Sequence, residues 1–172
     1  MKNKQEALKR LTSLEAEAKE LRIIINRSDS RDITERVKTF EDACDVLGIC
    51  EEKLPDVSAL PREHRKMVIS HYKLTVIAEA LNEGWNPNWN DHEEKKHYPF
   101  FAMKSNKGCG GSGFGFSDTH YDFWGTLSAC SSWLCFRTQQ LAEYAGRQFE
   151  GIYKDFLVME DKELRKINSF LN

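Results

Sequence analysis

Apolar positions in the first part of the chain recur at helical intervals. Ala7, Leu11, Leu14, Ala18, Leu21 and Ile25 alternate steps of four and three residues, which is the a/d seam of a short coiled coil. Charges occupy the other faces, with Glu6 and Arg10 forming an i,i+4 pair. The spacing predicts a coiled-coil-type helix over 1–26. Such a seam serves either self-association, as a dimer or higher oligomer, or an arm packed on its own domain.

Turn formers from Asn26 to Arg31 interrupt that period. Asp32 and Glu35 then predict the capping box of a second helix. Val37, Phe40, Ala43, Cys44 and Leu47 carry its apolar face, and Gly48 is its expected C-cap. A connector with two prolines follows, and Pro61 predicts the first turn of a third helix that ends near Asn82. Its broad apolar face, including Met67, Tyr72, Leu74, Ile77 and Leu81, predicts the most buried helix. His71 lies beside that face and reads as a core histidine.

After Gly84 the period shortens to two. Tyr98–Met103 reads as a first strand, with Pro99 suited only to its start or to an edge. A glycine-rich turn over 104–113 leads to Phe114–Ser117 as a second strand, and 118–125 either extends it or forms a loop. Ser128–Phe136 reads as a third strand. Thr138 is the expected cap of a final amphipathic helix through Leu141, Ala145, Phe149, Tyr153 and Leu157. The expected fold class is therefore α+β: a small three-stranded antiparallel sheet packed on helices, with an N-terminal coiled-coil-type helix. The organisation reads as a helix over 1–26, an α+β domain over 32–160 and a charged extension over 161–172.

Composition narrows the function classes. The 172 residues suit one domain, and a 40% hydrophobic content supplies a core. The net charge of -2 argues against coating of extended nucleic acid, because neutralising phosphates needs a basic surplus. No apolar run reaches the roughly 18 residues of a membrane span, and the N-terminus lacks the apolar region of a secretory signal. The five cysteines, at 44, 50, 109, 130 and 135, form no CxxC pair, so they read as reduced thiols of a cytosolic protein. Cys44, on a helical apolar face, reads as a core thiol.

Motifs for catalysis or metal binding are weak. Gly108, Gly110 and Gly113 match GxGxxG, but a strand-like segment follows where a dinucleotide site needs a helix. His92, His97, Cys109, Asp118, His120 and Asp122 include no closely spaced zinc pair. Asp118, His120 and Asp122 would share one strand face. Ser128, Cys130, Ser131, Ser132 and Cys135 are nucleophiles by identity only, with no GxSxG elbow. No catalytic residue, metal or cofactor is expected.

Aromatics give a stronger signal. The stretch 85–138 holds all four tryptophans and exceeds what one face of a small sheet can bury. The surplus suits either a structural core or a surface on which bases or a protein partner stack. Arg137 and Thr138 begin the last helix, where free N–H groups favour an anion. Candidate ligand-binding residues are Trp85, Trp89, Phe114, Phe116, Trp124, Arg137 and Thr138.

Several segments together carry a family resemblance: LNEGWNPNW at 81–89, HYPFF at 97–101, GFGFS at 113–117, LCFRTQQLAEYAGRQFEGIYKDFL at 134–157 and ITERVKTFEDACDVLGI at 33–49. The chain resembles a protein family associated with phages, prophages and mobile elements of gut anaerobic bacteria. These motifs mark the family and carry no chemistry of their own. The chain departs from it at Ser131-Ser132-Trp133, where members have an arginine, so no basic residue is carried over there. The resemblance implies an accessory protein acting in the cytoplasm of a bacterial host. Combined with the aromatics, it suggests a non-enzymatic binding protein that sequesters a nucleotide-type defence signal. The alternatives are a protein–protein interaction or virion-assembly protein oligomerising through 1–26, and a small hydrolase. The expected partners are other copies of the chain and either a nucleotide-type molecule or a host protein, with no membrane.

Overall fold

The computed structural model describes residues 2–104, 113–122 and 131–158. Its elements run α1 (Lys2–Ser28), α2 (Ile33–Arg36), α3 (Phe40–Leu47), α4 (Arg62–Asn82), β1 (Lys96–Lys104), β2 (Gly113–Asp122), a 3-10 turn (Ser132–Leu134), α5 (Gln139–Gln148) and α6 (Glu150–Leu157).

The core forms where α4 meets its neighbours. Leu74, Ile77, Ala78 and Leu81 of α4 are buried in one cluster with Val37, Phe40, Ala43 and Cys44. The same cluster takes in Phe101, Phe136, Leu141, Ala145, Phe149 and Tyr153. The breadth of the apolar face on α4 thus reflects contact with several elements at once.

Two long helices expected from periodicity are each divided. Thr39 Oγ1 accepts from Asp42 N–H at 3.1 Å, and the Asp42 carboxylate accepts from Thr39 N–H at 2.9 Å. That reciprocal capping box starts α3 afresh. Asp32 caps only the short α2, accepting from Thr34 N–H at 2.8 Å. Gly48 ends α3 in the left-handed region, with φ of 64°. The last helix breaks at Phe149, whose φ and ψ of -109° and 23° leave the helical range.

The expected third strand is a correction. Among the described residues the sheet has two strands, β1 and β2, paired antiparallel. Phe136 makes a single bridge to His97, with backbone bonds of 3.1 and 2.7 Å. Two physical causes stop the pairing there. The next hydrogen-bonded rung along that edge would need a donor from residue 99, and Pro99 has no N–H. On the other segment of the pair, Ser131 Oγ accepts from Trp133 N–H at 3.3 Å and winds 132–134 into the 3-10 turn. Residues 128–130 lie outside the described residues.

A bulge between Phe100 and Phe101 shifts the β1–β2 register, so Phe100 faces Asp118 while Phe101 faces Phe116. It helps gather Phe101, Phe114 and Phe116. Phe101 stacks on Phe114 at 4.9 Å and meets Phe116 edge-on at 6.1 Å. Tyr98, Phe100 and His120 form a second aromatic group, with Phe100 and His120 centroids 4.6 Å apart.

Candidate functional site

The tryptophans of the 85–96 loop are built into its structure. Lys96 is fully buried, and its Nζ donates to the carbonyls of Asp91 at 2.9 Å and Glu94 at 2.8 Å. It also lies 3.2 Å from the Glu94 carboxylate and 5.7 Å from the Trp89 ring centroid. Glu94 in turn accepts from Trp85 Nε1–H at 3.1 Å and from Asn88 N–H at 2.7 Å. The loop therefore closes on an internal ion pair, and both half-buried indoles are part of that closure.

The other candidates fall elsewhere. Phe114 and Phe116 are half-buried against the core, and the Arg147 guanidinium lies 4.7 Å from the Phe116 ring centroid. Arg137 is tied to the end of α4: its guanidinium donates to Glu83 at 2.6 Å. Its N–H donates to Asn82 Oδ1 at 3.1 Å, while Asn82 Nδ2 donates to the Cys135 carbonyl at 2.8 Å. Thr138 caps α5 by accepting from Leu141 N–H at 3.2 Å. Trp124 lies outside the described residues. Trp85 and Arg137 thus meet at the end of α4, where the Trp85 N–H donates to the Asn82 carbonyl at 2.9 Å, while Phe114 and Phe116 lie apart on β2.

A concavity among the described residues has a different lining. It is a groove of about 510 Å³ between α4, α6, β1 and the 3-10 turn. His71, Tyr98, Phe100, Phe101, Phe156 and Leu157 are among its walls, and none of the six described candidates is. His71, expected in the core, is half-buried here with its ring 5.1 Å from Phe156. Tyr98–Phe101 of the HYPFF segment supply the groove's wall on β1. Its wall on α6 comes from residues distant in sequence.

Titratable groups show structural roles. Cys135 is buried and its Sγ donates to the Ser132 carbonyl at 3.3 Å. Burial, aided by nearby acidic groups such as Glu41, pushes the Cys44 thiol up to about 11, so it stays protonated. His97 is buried, and its Nδ1 has no hydrogen-bond partner among the described residues. Burial, with help from Lys95, lowers its pKa and keeps the ring neutral. Among the described residues, no three His, Cys, Asp or Glu side chains are placed to share a metal. Cys109, Ser128 and Cys130 lie outside the described residues, as does most of the GxGxxG segment.

Helix α1 presents an apolar row to solvent. Leu8, Leu11, Leu14 and Leu21 are each more than half exposed. The helix touches α3, and Glu15 comes within 3.7 Å of Lys53 with both side chains exposed. Among the described residues no helix is long and apolar enough to cross a membrane. Comparison with known proteins returned no matching protein-family model, no matching curated protein and no matching solved structure.

Proposed function

We propose that the protein is a non-enzymatic interaction protein whose copies assemble through α1. The observation that carries this reading is the exposed row Leu11, Leu14 and Leu21 on an otherwise charged helix. Leaving such a row in water forgoes about 1.5 kcal/mol or more per leucine, and a matching seam on another helix recovers it. The family resemblance supports placing the protein as an accessory of a phage or mobile element, in the cytoplasm of a bacterial host. A nucleotide-sequestering role has less support, because the 510 Å³ groove is lined by none of Trp85, Trp89, Phe114, Phe116, Arg137 and Thr138.

Light scattering on the purified full chain tests the reading. The wild type is expected at a multiple of its 20.0 kDa mass. The double variant Leu14→Glu/Leu21→Glu is expected to be monomeric with an unchanged core fold. A monomeric wild type at high micromolar concentration overturns the proposal. Calorimetry with cyclic and linear nucleotides tests the alternative.

A further inference from the structure

We infer that the occupant of the α1 seam is a second copy of this chain, lying parallel and in register, with orientation set by charges flanking the seam. This rests on the assembly reading above and goes on to specify its geometry. With Leu11, Ala18 and Ile25 at a positions and Ala7, Leu14 and Leu21 at d, Arg10 and Glu17 fall at g. Glu15 and Arg22 fall at e. In a parallel pair each g residue faces the next e residue of the other helix. Arg10 then faces Glu15 of the second copy, and Glu17 faces Arg22. Both pairs are opposite in charge, and the two-fold axis repeats each of them.

The antiparallel arrangement that buries the whole seam lacks this match, and the slid registers gain an opposite pair only by shortening the seam. There, g positions face g and e positions face e. The register that buries the seam along its whole length sets Glu15 against Glu15 and Glu17 against Glu17. Sliding by a heptad one way puts Leu21 opposite Lys4, and sliding the other way puts Leu11 opposite Ser28. Lys53 competes for Glu15 at 3.7 Å, between two exposed side chains, and such a pair holds little energy. Leu8 at e and Ile24 at g, 53% and 61% exposed, widen the apolar stripe towards its two ends.

Orientation has a functional consequence. A helix of 27 residues is about 40 Å long. A parallel pair holds both globular domains at the same level along the helices, so two copies of the aromatic groove face the same neighbourhood. An antiparallel pair holds them apart.

A charge-swap series on the full chain tests the inference by sedimentation equilibrium at low salt. Arg10→Glu is expected to raise the dimer dissociation constant about tenfold, since two attractive pairs become repulsive. Adding Glu15→Arg to the same chain is expected to restore it to within about threefold, because the reversed pair is again attractive. Rescue cannot arise within one helix, where positions 10 and 15 do not adjoin. Circular dichroism checks that each variant keeps its helix content. A self-associating wild type whose double variant is no tighter than Arg10→Glu overturns the parallel geometry and leaves the assembly reading standing. A monomeric wild type overturns both.

Discussion

Gly146 of α5 sits directly on Phe116 of β2. A Cβ at position 146 would lie 2.6 Å from Phe116 Cε2 and 2.8 Å from Pro99 Cβ. The missing side chain is what lets a helix rest on the hairpin at this distance. Arg147 covers the same Phe116 ring from its other neighbouring position on α5. Gly146→Ala is expected to destabilise the protein by about 1–3 kcal/mol, despite a gain in helix propensity of about 1 kcal/mol. Urea unfolding measures it, and an unchanged or raised midpoint would refute the close packing.

Asn82 joins the end of α4 to the segment leading into α5. Its amide serves the Cys135 carbonyl and the Arg137 N–H together, at 2.8 and 3.1 Å, while the residue is buried. Asn82→Ala leaves a carbonyl and an N–H without partners, at a cost of about 2–4 kcal/mol. Asn82→Asp keeps the acceptor for Arg137 and loses the donor to Cys135. It also buries a charge, so it is expected to be no better than alanine. The ranking is read from thermal or urea midpoints of the two variants.

Lys96 is the charge around which the 85–96 loop closes. Replacing it with methionine keeps the stem and removes the ammonium group, leaving two carbonyls without their donor and Glu94 without its counter-charge. The expected loss is about 3 kcal/mol, the range for breaking a buried pair by deleting one partner. Because Trp85 and Trp89 belong to the same closure, the tryptophan emission should shift to the red in the native state. Emission and stability that both match wild type would show that the loop holds by other means.

His97 makes stability depend on pH. Its folded-state pKa lies below the ordinary 6.5, so the unfolded chain binds the proton more readily. This stabilisation is complete above about pH 6.5 and declines as pH falls towards the folded-state value. His97→Phe is expected to remove that component of the slope between about pH 7 and 5. Parallel denaturation series on both proteins measure the difference. Identical slopes would show that the ring is not held neutral.

Cysteine reactivity should follow burial. Cys50 is exposed, whereas Cys44 and Cys135 are buried. Iodoacetamide at pH 8 is expected to modify Cys50 before Cys44 and Cys135, which react only under denaturing conditions. Peptide mass spectrometry reads the order.

Much of the fold could be read from local pattern. The period of α1, the broad face of α4, the Gly48 and Thr138 caps, the core role of Cys44 and the β1–β2 hairpin all follow from nearby residues. The helix breaks were legible in part. Thr39 and Asp42 spell a capping box, yet the apolar period runs through them uninterrupted. The groove and the dispersal of the candidate ligand residues were not legible. Trp85 and Arg137 both flank the end of α4, and what they do there depends on Glu94, Glu83 and Asn82, whose partners sit nine to 55 positions away.

The sequence by itself determined where most helical residues lie, the hairpin and the heptad order of charges on α1, because each depends on residues a few positions apart. Only the tertiary structure decided the number of strands. Period-two patterning in Ser128–Phe136 is compatible with a strand, but Pro99 offers no donor on the edge that strand would join. It also decided which aromatics are spent on packing, because burial of Lys96 and the close approach of Gly146 to Phe116 arise only when distant segments meet.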